Sequence, residues 1–156
     1  MKPKGLDLFC GQGGCSAGYA RAGFDMTGID INPQPRYPYR FVQADALIYL
    51  TEHWREYDFI HASPPCQGYS ITRNLMTSRD DHPMLIGDVR QALQATGKPY
   101  VIENVVGAPL LNPLMLCGTI TEMMSGFHAA TCSKFTMFQL SEALVTELTH
   151  TGTVPA

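Results

Sequence analysis

Several common features are missing from this sequence of 156 residues, and each absence excludes a class of protein. No apolar run approaches the roughly 20 residues that a membrane-spanning helix needs. The first five residues lead into a strand-like segment without the apolar core of a signal peptide, so we expect no leader. Basic residues do not dominate either: the net charge is −3, which argues against a surface coated with basic side chains for nucleic acid. A local basic cleft stays compatible with that sum.

Paired cysteines are also missing, because the five cysteines form no CxxC motif and no zinc-ligand pattern. The simplest interpretation is free thiols in a reducing cytoplasm, with no metal site. What is present is a globular composition, with 45% apolar and 16% charged residues. The length suits one domain, which we predict over residues 1–148, followed by a frayed polar tail over residues 149–156.

The strongest local signal is the stretch from Phe59 to Ser70. Residues 59–62 are apolar enough to predict a buried strand, and Pro64 and Pro65 then end it and fix the backbone. Cys66 follows at once. A thiol on a stiff turn suggests a positioned nucleophile, since the reactive thiolate needs help from its surroundings. The alternative is a small buried hydrophobe, which is the commoner fate of a cysteine.

The amino-terminal part of the chain predicts a nucleotide-type binding unit. A strand over residues 5–9 leads into a segment with four glycines in nine residues, then a helix over 16–22 and a strand over 26–30. Asp30 lies nineteen residues after Gly11, close to the roughly 20 expected between a glycine turn and the acid that holds ribose hydroxyls. Because the glycines do not form a strict GxGxxG motif, we expect an adenosine ligand other than NAD.

The remaining helices, strands and loops are predicted from apolar patterns and from residues that end or cap them. Three prolines make residues 32–38 a loop. Asp45 follows the next strand and either accepts from an adenine amino group or caps the following helix, and both roles can hold together. The predicted strands cover residues 40–43, 100–106 and 134–140, the predicted helices cover 46–53 and 84–96, and residues 107–118 are predicted to be irregular.

Two further segments carry charged residues of interest. The polar loop after Gln67 contains Arg73 and Arg79, which are either phosphate contacts or ordinary solvated arginines. Glu103 lies inside an apolar strand, where a carboxylate is costly without a partner or a task. Burial there predicts a raised pKa and a protonated, donating carboxyl, and the alternative is a salt-bridged glutamate at a strand end.

Three motifs in order now support a family resemblance: the run from Asp7 to Gly14, the Pro-Pro-Cys-Gln of residues 64–67, and the Glu-Asn-Val of residues 103–105. Together they resemble the DNA (cytosine-5)-methyltransferase family, and residues 82–118 are similar to its phage and bacterial members. The resemblance implies a Rossmann-like α/β fold with a mostly parallel sheet and helices on both faces. It also implies S-adenosylmethionine as the cofactor and DNA as the partner.

The resemblance further implies a role for each matching residue. Cys66 would attack C6 of a flipped-out cytosine, Glu103 would hold and protonate N3, and Asn104 would support Glu103 or the proline-cysteine loop. Gln67 would complete the catalytic set. The implied cofactor contacts are Phe9, Gly11, Gly13, Asp30, Ile31, Asp45, Ala46 and Pro64. The implied contacts to DNA are Ser70, Arg73, Arg79 and Lys134.

The sequence departs from the family in its last part. Lys134 and Thr136 stand where the family has two arginines, and the family's target-recognition domain has no visible counterpart. Three accounts follow: a compact enzyme, a half that a partner chain or self-association completes, or a methyltransferase-like protein that binds a nucleotide or protein partner without catalysis. The intact Cys66, Gln67 and Glu103 favour catalysis.

Overall fold

The structure is a computed structural model that describes residues 1–65, 85–117 and 135–150. Within these ranges the chain forms one seven-stranded sheet with helices packed against it. The strands are β1 Lys4–Leu8, β2 Asp25–Asp30, β3 Arg40–Gln43, β4 Phe59–Ala62, β5 Tyr100–Val105, β6 Leu114–Cys117 and β7 Phe135–Leu140. The helices are α1 Gly14–Arg21, α2 Ala46–His53, α3 Ile86–Thr96 and α4 Glu142–His150, with a short 3-10 helix at Trp54–Glu56.

The strand order is β3-β2-β1-β4-β5-β7-β6. The first five strands along the chain pair in parallel, and β7 pairs antiparallel with both β5 and β6. From β1, the chain first adds β2 and β3 on one side of the sheet. It then crosses back and adds β4 and the later strands on the other side of β1. This arrangement confirms the predicted Rossmann-like fold, and it puts a topological switch point between β1 and β4, where ligands of such sheets bind.

The two faces of the sheet differ in chemistry because side chains alternate along each strand. One face carries the apolar core, in which Leu6, Leu8 and Ile60 are 0% exposed against residues of α2 and α3. The opposite face carries Asp7 and His61, each 1% exposed and paired in register across β1 and β4. The sheet therefore buries apolar groups on one side and a set of polar groups on the other.

The connection between β2 and β3 has no helix, and the side chain of Tyr37 fills the space instead. Parallel strands usually need a crossover of a dozen or more residues, whereas residues 31–39 form this one. The Tyr37 ring packs against the backbone of Gly13 and Gly28. Its hydroxyl lies 2.5 Å from Ser16 Oγ, which donates to Asp7 Oδ2 at 2.5 Å. One tyrosine thus ties the crossover to the start of α1.

The Tyr37 packing predicts that Gly28→Ala destabilises the fold. A Cβ at Gly28 would overlap the Tyr37 ring, which can move only by giving up its bond to Ser16. We expect a loss of about 1–3 kcal/mol in the free energy of unfolding, measured by urea denaturation. The matched control is Gly87→Ala in α3, where a Cβ meets no atom within 4 Å and alanine favours the helix. Equal stability of both variants would contradict this packing argument.

The structure differs from the predicted elements mainly near the end of the chain. The prediction that residues 107–118 are irregular is wrong, because β6 lies at the edge of the sheet. Helix α4 was not predicted, and it runs past residue 148 to His150. Helix α1 begins two residues earlier than predicted. In the described ranges, no helix has the length and apolarity needed to cross a membrane.

Candidate active site at the carboxyl edge of the sheet

The carboxyl ends of four neighbouring parallel strands meet at one edge of the sheet. The glycine-rich turn follows β1, Asp30 ends β2, the segment from Ser63 to Pro65 follows β4, and Glu103 lies near the end of β5. Ser63 N donates to Leu8 O at 3.1 Å, which continues the pairing of β1 and β4 past the strand ends. Residues far apart in the sequence are thereby brought to the switch point.

Asp30 closes the glycine-rich turn. Its Oδ2 accepts from Gly11 N at 3.1 Å, and its Oδ1 accepts from Asn32 N at 2.9 Å. A carboxylate has about four lone-pair positions, so roughly two remain for hydroxyl groups of a ligand. A Cβ at Gly11 would meet no atom within 4 Å, so open space lies beside the turn. These observations fit a ribose held at Asp30.

Backbone conformation in the turn is unusual at the predicted cofactor residues. Gly11 and Gly13 have φ values of 49° and 86°, and Phe9, which is not a glycine, has φ 60°. Strained non-glycine residues are concentrated at functional sites, where the surrounding structure fixes them. Cys10 lies in the same turn, but burial and the nearby Asp7 and Asp30 raise its pKa to about 12, so its thiol is not a nucleophile at neutral pH.

The other predicted cofactor residues lie around the same edge. Ile31 is 66% exposed beside Asp30, so an apolar side chain is available to cover a flat ring. Asp45 caps α2, with Oδ1 accepting from Leu47 N at 2.9 Å and from Ile48 N at 3.0 Å. The capping alternative is thus confirmed, and contact with adenine stays a prediction. Ala46 is buried at the first position of α2.

The ribose assignment predicts that Asp30→Ala weakens S-adenosylmethionine binding. A hydrogen bond to a charged group contributes about 1.5–3 kcal/mol, so the loss of even one such bond raises the dissociation constant by roughly 10- to 100-fold or more. Isothermal titration calorimetry measures this change. Asp25→Ala is the matched control, since Asp25 is an exposed acid at the opposite end of β2. An unchanged dissociation constant for Asp30→Ala would refute the assignment.

The proline segment that leads to Cys66 is anchored by Asn104. Its Nδ2 donates to Pro64 O at 2.9 Å, and its side chain is buried, so the start of this segment has a fixed position. This bond agrees with one of the two predicted roles of Asn104, support of the proline-cysteine loop, and the role stays a prediction. Cys66 itself lies outside the described residues. The same holds for five other predicted site residues: Gln67, Ser70, Arg73, Arg79 and Lys134.

A compact polar cluster surrounds Glu103 on the α1 face of the sheet. Glu103 Oε2 accepts from Ser63 Oγ at 3.1 Å and from Cys15 Sγ at 3.2 Å, and His61 Nε2 lies 3.5 Å from it. His61 Nδ1 lies 3.0 Å from the hydroxyl of Tyr19. The side chain of Glu103 is 26% exposed, whereas that of His61 is 1% exposed. Glu103 therefore presents a carboxyl to the site with a buried histidine behind it.

Electrostatics in the cluster reverse one expectation. Burial alone would raise the pKa of Glu103, but the hydrogen bond and charge of His61, with bonds from Cys15 and Ser63, hold it below its usual value. The predicted raised pKa of Glu103 is therefore wrong, and the reason is a partner on the neighbouring strand. Burial lowers the pKa of His61, yet its interactions with Tyr19, Cys15 and Glu103 raise it well above 6.5.

Sequence reasoning missed Cys15, His61 and Ser63. The signal that could have found them is the period of two in the strands: His61 interrupts a short buried apolar strand two residues before Ser63, so both point to one face. Cys15 Sγ, a ring nitrogen of His61 and a carboxylate oxygen of Glu103 lie within 4.8 Å of one another. Hydrogen bonds and an ion pair give these groups protein partners, and the predicted absence of a metal site stays a prediction.

A separate cavity of about 570 Å³ lies at the other end of β5, lined by residues such as Tyr100, Leu111, Leu114 and Val145. Tyr100 begins β5, whereas Glu103 lies toward its carboxyl end. The cavity contains none of the predicted site residues. The cavity and the candidate active site therefore lie in different places. The strained turn and the polar cluster around Glu103 mark the active site, at the carboxyl edge of the sheet.

Comparison with known proteins finds a family model and curated relatives that are similar to this chain. Residues 4–125 match the family model of C-5 cytosine-specific DNA methylase. The chain is 30% identical over 122 residues to the Type II methyltransferase M.XorII of Xanthomonas oryzae, covering 68% of this chain and 29% of that protein. It is 30% identical over 117 residues to the Type II methyltransferase M1.HphI of Haemophilus parahaemolyticus, covering 64% and 32%. The chain thus spans less than a third of the length of either relative.

The fold has a counterpart among solved structures. The crystal structure of S. pombe Dnmt2 methyltransferase has a TM-score of 0.59 and 16% sequence identity, with 90% of this chain and 49% of that chain covered. At this identity the likeness concerns the fold alone. It agrees with a sheet whose parallel strands end at a shared edge.

Proposed function

The chain belongs to the C-5 cytosine-specific DNA methylase family, and on that premise we propose that it transfers a methyl group from S-adenosylmethionine to C5 of cytosine in DNA. The observation that carries the proposal is the meeting of Glu103 with the anchored Pro64–Pro65 segment at adjacent strand ends. Cys66 follows Pro65 directly in the sequence, and a thiol and a carboxyl are the two groups that attack on a pyrimidine ring needs. The strained glycine turn beside them suits the methyl donor.

The cofactor part of the proposal rests on the edge formed by β1 and β2. Asp30 binds the ribose hydroxyls with its free lone pairs, and Ile31 covers the adenine ring. Gly11 and Gly13 allow the backbone to approach the ligand, since both have positive φ. Bound S-adenosylmethionine supplies the methyl group as an electrophile. The residues that would hold it lie at the switch point, beside the Pro64–Pro65 segment.

The nucleophile of the proposal is Cys66. A cytosine inside a duplex hides C5 and C6, so the base must first be flipped out. The Cys66 thiolate then forms a bond to C6, and the ring electrons move toward C5 and N3. C5 takes the methyl group as the bond between that carbon and the sulfonium sulfur breaks, water accepts the C5 proton, and Cys66 leaves as a thiolate to restore the double bond. Asn104 fixes the start of this segment through Pro64, so it acts as a positioning residue.

Glu103 holds N3 of the cytosine in the proposal. Protonation of N3 draws electrons from the ring and makes C6 open to attack, so the carboxyl must carry a proton when the thiolate bonds. The side chain of Glu103 is 26% exposed near the carboxyl end of β5, so a flipped base can approach it. The low pKa of Glu103 means that this proton has to be supplied as the base binds.

We further propose that a partner chain or a second copy of this chain completes the site. Apolar side chains lie exposed near β6 and α4, which supports packing of further protein there: Leu111 is 53%, Met115 57% and Val145 46% exposed. If self-association completes the site, specific activity rises with protein concentration. A specific activity that does not depend on protein concentration, but rises when a second polypeptide is added, would instead indicate a partner chain.

The direct test is nucleoside analysis of product. The purified chain is incubated with S-adenosylmethionine and mixed-sequence DNA, and the DNA is digested and analysed by mass spectrometry. The proposal predicts 5-methylcytosine in the DNA, at a level that depends on intact Cys66. Methylation at the exocyclic nitrogen, or methyl transfer to RNA alone, would overturn the assignment of substrate and position.

A further inference from the structure

A continuous hydrogen-bonded path runs from α1 through β4 to Glu103, and the proposed mechanism uses only its last member. Tyr19 OH lies 3.0 Å from His61 Nδ1, and His61 Nε2 lies 2.8 Å from Ser63 Oγ. Ser63 Oγ in turn donates to Glu103 Oε2 at 3.1 Å. The direct separation of His61 Nε2 from Glu103 Oε2 is 3.5 Å, so Ser63 gives the better path between them.

We propose that His61 is the proton store of this active site and that Ser63 passes its proton to Glu103 when cytosine binds. The proposal rests on the proposed function for its purpose, since Glu103 needs a proton to give to N3. Its physical content, a charged His61 facing an ionised Glu103, holds with or without substrate. His61 acts through Ser63 and is a positioning and relay residue, with no contact to the base.

The proton count balances without an outside donor. The Nε2 proton of His61 moves to Ser63 Oγ, and the hydroxyl proton of Ser63 moves to Glu103 Oε2. His61 becomes neutral, and Glu103 becomes the neutral acid that protonates N3 while Cys66 bonds to C6. After Cys66 leaves, N3 returns its proton to Glu103, and the same path in reverse restores the His61 cation. The Ser63 hydroxyl already donates to Glu103 in the resting chain.

Four titratable side chains face His61, and the Glu103 carboxylate favours its charged form. Asp7 lies opposite it on β1, Cys15 and Tyr19 face it from α1, and Glu103 faces it from β5. Burial raises the pKa values of Cys15 and Tyr19 above their ordinary values of 9 and 10, so these two groups are neutral near neutral pH. Burial also raises the pKa of Asp7, whereas that of Glu103 is lowered, so Glu103 is the carboxyl that favours the ionised form. His61 is buried, so bulk water does not reach its ring directly.

The first experiment reads the charge of His61 without any catalysis. The full chain is labelled with 15N-histidine, and the five histidines are observed by NMR across a pH series with EDTA present. His61 is assigned from its loss in His61→Asn. We expect both ring nitrogens of His61 to be protonated at about pH 7.5, and Glu103→Gln to lower its pKa. A neutral His61 ring at that pH overturns the proposal, whatever the chain does to DNA.

The second experiment measures how methyl transfer depends on pH. With saturating substrates, we expect the wild-type rate to stay level between about pH 6.5 and 8, because the proton is held in reserve. In His61→Asn and Ser63→Ala, Glu103 must take its proton from water, so the rate falls by about tenfold per pH unit as pH rises. Ser63→Thr keeps the hydroxyl and should restore the level profile. His53→Asn is the control, since His53 pairs with Glu56 on the surface.

The possible results separate the relay from the proposed function. Equal loss of rate at every pH in His61→Asn and Ser63→Ala would mean that both residues only shape the site, which overturns the relay. Wild-type profiles in both variants overturn it as well. If the wild-type chain transfers no methyl group to cytosine, the proposed function fails, and the NMR result still decides whether His61 and Glu103 share a proton.

Discussion

Replacement of Cys66 by alanine is expected to abolish methyl transfer to DNA and to leave S-adenosylmethionine binding intact. Without a thiolate, C5 of cytosine is too weak a nucleophile to take a methyl group, so we expect a fall of at least about 10⁴-fold in the transfer rate. The cofactor edge at β1 and β2 does not depend on this side chain. Tritiated-methyl transfer and calorimetric titration measure the two quantities on one sample.

The control for this prediction is Cys132→Ala, which changes a cysteine that no motif includes. We expect its transfer rate to match that of the wild type. Measurable transfer by Cys66→Ala at a rate near that of the control would show that Cys66 is not the nucleophile. Loss of cofactor binding in Cys66→Ala would instead show that the proline-cysteine segment shapes the cofactor site.

Glu103→Gln is expected to have the second-largest effect. A glutamine can accept and donate hydrogen bonds at this position but cannot transfer a proton to N3, so we expect the transfer rate to fall roughly 10²- to 10⁴-fold. Cofactor affinity should stay within about twofold, because Asp30 and the glycine turn lie on other strands. Single-turnover methyl transfer at saturating DNA measures the effect on chemistry.

The matched control is Glu142→Gln, which neutralises an exposed glutamate in the first turn of α4. It should transfer methyl groups at the wild-type rate. Equal rates for Glu103→Gln and this control would remove Glu103 from the mechanism.

The lowered pKa of Glu103 also predicts how the free energy of unfolding depends on pH. The contribution of the Glu103–His61 pair to stability is fully present above the ordinary glutamate pKa of 4.5, and it is lost as pH falls through the lower pKa of the folded chain.

The first part of the fold was predictable because its strands follow simple rules. Parallel strands that are covered on both faces are short and mostly buried, and β1, β2 and β4 all have this form. The glycine turn and Asp30 have a fixed spacing that one sequence can reveal. In contrast, β6 is a four-residue strand at the sheet edge, and Pro113 precedes it directly. Its pairing with β7 is a tertiary contact that the local sequence pattern does not predict.

Individual site residues could be predicted from sequence motifs, but the contacts between their side chains could not. Cys66 and Glu103 each stand in a motif, whereas the pairing of His61 with Glu103 depends on the register of β4 against β5. That register decides the sign of the Glu103 pKa shift, because burial and a neighbouring cation act in opposite directions. Tyr37 is a similar case, since its proline-rich loop gives no hint that its ring replaces a helix.

The central claim is that Cys66 bonds to a cytosine while the methyl group is transferred. The most direct measurement is trapping with duplex DNA that contains 5-fluorocytosine, in the presence of S-adenosylmethionine, followed by mass spectrometry of the complex. Fluorine at C5 cannot leave as a proton does, so the adduct cannot resolve. The account predicts a stable complex with the mass of chain, DNA and one methyl group, with the cross-link mapped to Cys66. Trapping at another residue, or none from a chain that still methylates cytosine in DNA, would contradict it.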